Sequence, residues 1–580
     1  MKKKIVYGAV AIALIGSLAI PYGCKKVSPD NYTISVNTDV FSAPTSMLFV
    51  NAKEGADKQP GDFTLTLSGK DADKVITSLG KSVYGVTNGF TFLSLKKGVV
   101  PTTENPIVFK IAGKAEGFED FMYDVVLTSK TETNLEYKLI EEGAVLPTGL
   151  SELKTTAPLT GGSPSAPVVI ETKEETGTVQ TAKLEMTAGT VMKGLNDQTL
   201  SGSNLAINVR YYDPRTEAND VVPGGLKPQD VLDKNGSAIV GGVQFLSAGI
   251  IKVDMTVDGV IVKNFDKPVA TEIELTAGQD NPLTGKTIVA GDKLPIWSRN
   301  DQTGQWKRED DATVVLINNV LVAQFTTSHL SCLGVLWASP LLDVPTYDII
   351  EPHFPTFMDF KFTDYEYVSE GYTGNELMEM YTGRMVNITG YSKGGTVIMQ
   401  KTSLYASPYM IGGLYNIPRV DAAYFIIEDA VTGKTFKTEE ISTKNTNSYT
   451  FDLNKLDDAN AINLSLDYTV KCTANKLIPM SSTYAVITNL DTKKKITVYI
   501  WAYSSQHAGG LKLKLMNKNN YRIETIGLDG QIISYESVFD IANISKNNVK
   551  NPKGFTIDKF EYNPTTKKVE AAVTYVTSKC

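Results

Sequence analysis

Apolar and polar residues alternate with a period of two along most of the chain beyond its N-terminal segment. The run 496–501 shows the pattern clearly, because Ile496, Val498 and Ile500 fall on one face of an extended chain. Such alternation is typical of β-strands with one buried face. The pattern therefore predicts a chain built mainly of strands.

Turn residues separate many of these runs. Asp258-Gly259 and Asp529-Gly530 each stand between two alternating runs, and Asn563-Pro564 divides a further pair near the C-terminus. Asp-Gly in this position is a strong signal for a two-residue hairpin loop. Helical patterns are few and short, at 227–235, 375–385 and 537–545. These features predict an all-β fold with several β-sandwich (Ig-like) domains in tandem.

Composition shifts along the chain predict a series of segments. A length of 580 residues is well beyond the size at which one core stops growing. A stretch rich in Gly, Ser and Pro at 159–169 marks the clearest linker, and we expect a protease to cut there first. The predicted map is a signal peptide at 1–23, a tether at 24–30, a sandwich at 31–130, a linker region at 131–174, a sandwich at 175–340, a β-domain at 341–439 and a C-terminal β-domain at 440–580.

The N-terminus predicts export and a lipid anchor. Lys2, Lys3 and Lys4 precede an apolar stretch from Ile5 to Ile20, which is shorter than the roughly 20 residues that cross a bilayer. Cys24 follows directly after a glycine. This series resembles a bacterial lipoprotein signal of the Bacteroidetes type, in which the cysteine is lipidated. The resemblance implies a protein of the bacterial cell envelope, held on the membrane through Cys24, and we expect the outer membrane.

Charge argues against a nucleic-acid partner. The formal net charge is −7, whereas phosphate binding requires clustered Lys and Arg. The basic run Lys493–Lys495 is predicted to lie in a hairpin loop. Beyond Cys24 three cysteines remain, and their spacing matches neither a disulfide framework nor a metal site. Cys472 and Cys580 could pair, although free thiols are the simpler interpretation.

Candidate chemistry is sparse. The histidines are His329, His353 and His507, and none belongs to a known metal or catalytic spacing. Polar loops at 211–220, 277–286 and 298–311 carry oxygen ligands that Ca²⁺ accepts, but ordinary turns with local side-chain hydrogen bonds explain them as well. We therefore expect no cofactor, no metal and no enzymatic activity.

Residues 180–340 carry a series of short motifs. In order these are "LNDQTLSGSNLAINVRYYDP", "VPGGL", "FLSAGIIKVDM", "LPIWSRNDQTGQWKRED" and "QFTTSHLSCLGVLW". The series resembles the extracellular β-domain of the FAM171 and cartilage intermediate layer protein families. The resemblance implies a secreted β-sandwich used for interaction. From the residues themselves, the turn at Thr303-Gly304 should place Trp297 and Trp306 on one face of two paired strands.

The triplet His329-Leu330-Ser331 suggests a second function. It matches the self-cleavage site of adhesion-receptor GAIN domains, in which the histidine activates the serine for attack on the preceding carbonyl. The cysteines that flank GAIN sites are missing here, and Cys332 stands alone. We expect both polar side chains on one face of a closing strand, bonded to neighbouring backbone groups, with the Leu330–Ser331 bond intact.

A third hypothesis concerns glycans. Tyr405, Tyr409 and Tyr415 lie in the aromatic stretch 403–419 and could form a platform for sugar rings. A packed sheet edge is the alternative explanation. The function expected from the sequence is therefore a lipid-anchored, non-enzymatic envelope protein with a binding or structural role and a protein or glycan partner. Self-cleavage and glycan binding are the alternatives.

Overall fold

The computed structural model describes residues 42–77, 82–102, 105–129, 133–173, 180–340, 356–363, 384–406, 412–418, 420–444, 448–472, 483–502, 508–526, 532–545, 555–565 and 568–577. Within these ranges the regular structure is strand, apart from short 3-10 helices at Ala72–Lys74, Glu217–Val221 and Leu453–Leu456. The predicted all-β class is confirmed. The described residues contain no helix that is long and apolar enough to cross a membrane.

The first sandwich consists of two four-stranded sheets, in the orders β3-β5-β1-β8 and β4-β2-β6-β7. Alternating apolar residues of both sheets meet in one core, which includes Phe49, Leu93, Phe109 and Val125. Its strands are β1 Ser42–Asn51, β2 Phe63–Ser68, β3 Val75–Thr77, β4 Tyr84–Val86, β5 Phe90–Leu95, β6 Ile107–Gly113, β7 Phe121–Leu127 and β8 Thr133–Leu139.

The second sandwich is larger and has seven strands in one sheet and eight in the other. Sheet I has the order β10-β11-β17-β24-β23-β20, with β12 beside β17, and sheet II has the order β14-β22-β21-β25-β15-β13-β9, with β16 beside β15. The short strands β18 and β19 pair with each other. The strands are β9 Leu150–Pro158, β10 Val168–Glu171, β11 Ala182–Met186, β12 Met192–Lys193, β13 Asn204–Tyr212, β14 Val231–Leu232, β15 Val243–Val257, β16 Val260–Ile261, β17 Asn264–Glu274, β18 Asp280–Asn281, β19 Lys286–Thr287, β20 Lys293–Leu294, β21 Ile296–Arg299, β22 Trp306–Arg308, β23 Ala312–Ile317, β24 Val320–His329 and β25 Cys332–Pro340.

The third unit has a three-stranded sheet, β29-β26-β32, and a four-stranded sheet, β28-β27-β30-β31. Its apolar residues, such as Ile388 and Phe425, belong to the same core cluster as those of the second sandwich. The strands are β26 Thr356–Thr363, β27 Arg384–Ser392, β28 Val397–Ala406, β29 Gly412–Ile417, β30 Ala423–Asp429, β31 Thr435–Lys437 and β32 Ser448–Asp452.

The fourth unit is one eight-stranded sheet in the order β38-β37-β34-β35-β36-β33-β40-β39. Residues from both of its halves, including Leu464 and Ile487, share one core, so the sheet folds over on itself. The strands are β33 Ala461–Cys472, β34 Thr483–Asn489, β35 Lys495–Ala502, β36 Ala508–Met516, β37 Asn519–Ile526, β38 Ile532–Phe539, β39 Phe555–Asn563 and β40 Lys568–Thr577.

The predicted hairpins are confirmed where the structure describes them. Asp258 and Gly259 both adopt positive φ, and Val257 pairs with Val260 across the turn. Strands β37 and β38 pair on either side of Asp529-Gly530, and β39 pairs with β40 across Asn563-Pro564. The loop that contains Lys493 and Lys494 joins β34 to β35.

The region 131–174 differs from the linker that we expected. It contains β8, which pairs in parallel with β1, as well as β9 and β10, which are edge strands of sheets II and I. Within 159–169, residues 160–163 form a tight turn in which Thr160 and Ser163 exchange backbone hydrogen bonds, and β10 begins at Val168. Gly and Pro mark this turn correctly, but composition alone does not show that its flanks pair with strands far along the chain.

Other expected features also differ. The boundary at 439/440 is wrong, because β32 at 448–452 pairs with β26 and so belongs to the third unit. The helix expected at 227–235 is instead a loop with the short strand β14, and the one at 537–545 begins within β38. Short apolar runs such as Val231-Leu232 fit both the 3.6-residue period of a helix and the two-residue period of a strand. Pairing with a distant strand decides which structure forms.

Sheet II is covered on both faces. Tyr211 faces the core of the second sandwich, whereas its neighbour Tyr212 packs in a separate cluster with Ala52 and Ile140 from the end of the first sandwich. In β15, the register shift between Ser247 and Gly249 changes which residues face each side. The first sandwich therefore packs on the outer face of sheet II, and Phe41–Cys580 form one compact unit.

Candidate functional site

A cleft of about 840 Å³ lies where the first sandwich meets the outer face of sheet II. One wall comes from β7 and the end of β8, with Phe121, Met122 and Tyr123 among its residues. The opposite wall comes from β15 and β21, which contribute Lys252 and Arg299. Clefts between packed domains are common places for ligand sites.

Partly buried ion pairs hold the two walls together. Arg210 of β13 donates to both carboxylate oxygens of Glu119, at 2.8 and 2.6 Å, and its Nε donates to Glu152 at 2.7 Å. Lys138 of β8 lies 2.7 Å from Asp220. The charges of Glu119 and Glu152 help to raise the pKa of Arg210 against the effect of burial, so this contact stays charged. The width of the cleft is therefore set by a bidentate contact with little freedom.

Arg299 is the most unusual side chain of the cleft. It ends β21, is only 5 % exposed, and its Nε has no hydrogen-bond partner among the described residues. Its guanidinium lies 3.6 Å from the carboxylate of Asp301, which is an ion-pair distance. The N–H groups of a buried guanidinium normally all donate hydrogen bonds, so the hydrogen bonding of Arg299 is incomplete.

Two glycines leave room for the Arg299 side chain. Gly224 has φ +80°, and a Cβ there would lie 2.5 Å from Arg299 Nε. Gly304 has φ +74°, and a Cβ there would lie 3.4 Å from Nη2. Gly224 belongs to the "VPGGL" motif and Gly304 to the "RNDQTGQW" motif. The two motifs, which are distant in sequence, thus meet around one guanidinium.

Two aromatic residues at the first-sandwich wall, Phe121 and Tyr123, pack with the core of that sandwich. The rings of Tyr123 and Phe121 stack with centroids 5.8 Å apart, and Tyr123 is 4.9 Å from Tyr137. Burial raises the pKa of Tyr123 to about 12, while the positive charge of Arg299 acts in the opposite direction. Tyr123 is therefore a neutral aromatic side chain in the neighbourhood of Arg299.

The two tryptophans lie as expected. Trp297 faces Arg308 and Arg299 faces Trp306 in the antiparallel register of β21 and β22, which puts both indoles on one face. Each ring packs on Phe245, with centroids 5.0 Å apart. This aromatic cluster anchors the strand that carries Arg299.

His329 and Ser331 border a second cleft of about 370 Å³, which shares Lys263, Arg299 and Asp301 with the first. His329 Nε2 lies 3.7 Å from Glu309 Oε1, and that oxygen accepts a hydrogen bond from Ser298 at 2.7 Å. Burial lowers the pKa of His329 below its ordinary 6.5, although Glu309 opposes the shift.

The triplet does not lie on a single strand as expected. β24 ends at His329, and Leu330 and Ser331 cross from sheet I to sheet II before β25 begins. The Ser331 hydroxyl donates to the Cys332 carbonyl at 3.3 Å, which agrees with the expected backbone contact. The imidazole instead faces the Glu309 carboxylate. The geometry thus does not pair the presumed base with the presumed nucleophile.

The polar loops form local turns. Asp213 Oδ1 accepts from the backbone N–H of Arg215, Asn281 Oδ1 from Leu283, and Asn300 Oδ1 from Gln302 and Thr303. Within the described ranges, no group of three or more His, Cys, Asp or Glu residues is placed to hold a metal ion. Cys332 is a buried free cysteine, and burial raises its thiol pKa to about 12.

Several predicted residues cannot be placed. Cys24, His353, Tyr409, His507 and Cys580 lie outside the described residues. Tyr405 and Tyr415 are on β28 and β29, and Cys472 ends β33, but their side chains are not among those described. The tyrosine platform stays a prediction.

Sequence reasoning missed Arg299. One signal was present, since Trp297 and Arg299 alternate on a strand that is buried throughout its length. An arginine in phase with a buried tryptophan has to be enclosed as well. What the sequence could not show is that Gly224 would approach it from another loop.

Comparison with known proteins shows no matching family model and no matching curated protein. Among solved structures, the chain is similar to the C-terminal fragment of the pilus adhesin SpaC from Lactobacillus rhamnosus GG, with 9 % identity, 38 % of this chain and 98 % of that chain covered, and a TM-score of 0.13. It is also similar to BcpA, the major pilin subunit of Bacillus cereus, with 10 % identity, 92 % of this chain and 99 % of that chain covered, and a TM-score of 0.11. A candidate polysaccharide-binding protein of Bacteroides thetaiotaomicron shows 9 % identity, with 38 % of this chain and 90 % of that chain covered, and a TM-score of 0.15. Likeness at these TM-scores carries no argument about function.

Proposed function

We propose that this chain is a lipid-anchored cell-envelope protein that binds a glycan without chemical change, in the cleft between its first two sandwiches. The observation that carries the proposal is the cleft itself, whose walls are clamped by Arg210 and Glu119 while Arg299 stays incompletely paired. A site formed in advance loses little freedom when its ligand binds, which favours recognition.

The character of the lining favours a sugar over an apolar ligand. Met122, Ile261 and Leu330 supply apolar groups, while Gln302, Thr256 and Lys252 supply polar groups. Sugars present apolar ring faces and hydroxyl edges at once, so they suit a lining of apolar and polar residues.

A cleft-filling substitution tests the proposal. Thr256→Trp places an indole in the cleft. Val538→Trp is the control, because it adds the same side chain on β38 at a residue that is 53 % exposed. The full chain in detergent is applied to an immobilised panel of neutral and uronic-acid oligosaccharides. We expect wild type and Val538→Trp to bind and Thr256→Trp to lose binding. Equal binding by all three, or none by wild type, would contradict the cleft as the site.

The anchor is a separate part of the proposal. Acyl chains on Cys24 contribute about 0.8 kcal/mol per buried methylene, so several chains hold a protein firmly on a membrane. Cys24→Ala should move the chain to the soluble fraction after cell lysis and change its mass. A variant that stays membrane-bound at the wild-type mass would show that the anchor lies elsewhere.

The proposal also takes the Leu330–Ser331 bond to be intact. The imidazole of His329 lies 3.7 Å from the Glu309 carboxylate, and the Ser331 hydroxyl donates to the Cys332 carbonyl. Purified protein on a denaturing gel should run as one chain. Two fragments that disappear in Ser331→Ala would establish self-cleavage.

A further inference from the structure

We propose that the cleft selects acidic sugars, and that Arg299 binds the sugar carboxylate. This inference rests on the proposed function and names the chemical class of its ligand. It depends on three observations: the unpartnered Nε of the buried Arg299, the charges on the wall that carries Arg299, and the apolar residues that line the same cleft.

The guanidinium of Arg299 needs an acceptor. It has five N–H donors in a planar fork, yet among the described residues no acceptor meets Nε, and Asp301 stands 3.6 Å from Nη1. Leaving a buried donor unmet costs free energy, and a carboxylate matches the planar fork of a guanidinium with two parallel hydrogen bonds. The side chain lines both clefts, so a ligand in the larger one can reach it.

The charges around Arg299 leave room for an anion. Asp301 is shared with Lys263, whose Nζ lies at 3.4 Å, and Asp254 pairs with Lys252 at 3.2 Å. On this wall three cations therefore face two carboxylates. On the other wall, Lys114 pairs with Asp120 and Glu142, Lys138 with Asp220, and Arg210 with Glu119 and Glu152, so no cation there is unpaired. On the wall that carries Arg299, one positive charge is left for a ligand to neutralise.

The apolar part of the lining favours an acidic sugar over an acidic peptide. Met122, Ile261 and Leu330 line the same cleft as Arg299. A uronic acid carries its carboxylate on a ring whose apolar face packs on such side chains. A peptide carboxylate on a flexible side chain would use the arginine but not this apolar surface.

The test compares a carboxylated oligosaccharide with its neutral counterpart. Tetragalacturonate and its carboxyl-reduced form are titrated into the full chain in detergent by calorimetry. For wild type we expect the acidic form to bind roughly 10- to 100-fold more tightly, as for a charge-assisted bidentate contact. Arg299→Gln should remove this preference, and Arg299→Lys should restore part of it. Arg308→Gln is the matched control, since Arg308 is on the neighbouring β22 and does not line either cleft.

A second measurement avoids variants that fail to fold. The affinity of the wild-type chain for tetragalacturonate should fall as the salt concentration rises, because a charge-assisted contact is screened, while the affinity for the neutral form should stay constant. Equal affinity for both forms would overturn this inference and leave glycan binding intact. No binding of any oligosaccharide would overturn both. Binding of oligoglutamate in place of tetragalacturonate would overturn the sugar assignment.

Discussion

Adjacent glycines in the Pro223-Gly224-Gly225 turn differ in what surrounds them. Both have positive φ, at +80° and +71°, which disfavours any residue with a Cβ. A Cβ at Gly224 would lie 2.5 Å from Arg299 Nε, whereas one at Gly225 would lie 3.5 Å from the Tyr123 ring, an ordinary contact. A comparison of substitutions at the two glycines therefore separates the cost of backbone strain from the cost of a clash with Arg299.

We expect Gly225→Ala to lower the free energy of unfolding by about 1 kcal/mol, the cost of a left-handed alanine. Gly224→Ala adds a clash with a buried side chain and should cost roughly 2–4 kcal/mol. Urea denaturation of both variants and wild type measures the difference. Equal costs would mean that Arg299 moves aside freely and that the turn does not hold it.

His329 predicts a pH dependence with a definite sign. Burial lowers its pKa below 6.5 in the folded chain, with Glu309 opposing. The unfolded chain therefore binds more protons between the two values, so the contribution of His329 to stability is complete above pH 6.5 and is lost as pH falls below it. Unfolding of wild type and His329→Gln is compared at about pH 5.5 and about pH 7.5. The free energy of unfolding of wild type relative to the variant should be larger at the higher pH. A difference that grows on acidification would show that the attraction of Glu309 outweighs the effect of burial on the pKa of His329.

At the scale of elements, the hairpins follow from local signals. Asp258-Gly259 adopts the two positive φ values that its type of turn requires, and alternation in β35 buries Ile496, Val498 and Ile500 as expected. Such features depend on residues close in sequence, so the sequence shows them. Pairings such as β1 with β8, or β26 with β32, join strands far apart in the chain and leave no local trace. For the same reason the motifs around Thr303-Gly304 were visible, but their meeting with Gly224 was not.

The turn at 160–163 should resist proteases in the folded chain. Beyond the bonds between Thr160 and Ser163, the N–H of Gly162 donates to Gly202. A Cβ at Gly162 would lie 2.3 Å from the carbonyl oxygen of Leu200, whereas Gly161 has no such neighbour within 4 Å. Gly162→Ala should therefore open the turn and speed cleavage within 159–169, and Gly161→Ala, which shares the positive φ, should change it less. Fast cleavage within 159–169 in the wild-type chain would contradict this prediction and support the flexible linker expected from composition.

Across the whole molecule, shared cores connect units that the sequence divides. The second sandwich and third unit contribute to one apolar cluster. Tyr484 of the fourth unit packs with Leu48 and Phe90 of the first sandwich. A tandem of independent domains would expose these surfaces, and burying them couples the stability of one unit to that of the next.

Asp280 is the polar centre of the contact between the second sandwich and the third unit. It is 5 % exposed and accepts hydrogen bonds from the Ser392 hydroxyl at 2.6 Å, the Gly394 N–H at 3.3 Å and the Thr396 hydroxyl at 3.3 Å. Asp280→Ala removes the acceptor and leaves buried donors unmet, which should cost about 2–4 kcal/mol. Asp421→Ala, which breaks an exposed pair with Lys444, is the control and should cost less than about 1 kcal/mol.

Hydrogen exchange then decides whether the two units act as one. If the shared core makes them cooperative, Asp280→Ala should speed amide exchange in β25 of the second sandwich and in β27 and β30 of the third unit by a similar factor, since all open in the same event. If the units fold independently, exchange should rise in only one of them, or only in residues next to position 280. Faster exchange in the third unit alone would show that the apolar contact is too weak to couple the two units. The units would then unfold independently, as a tandem of separate domains does.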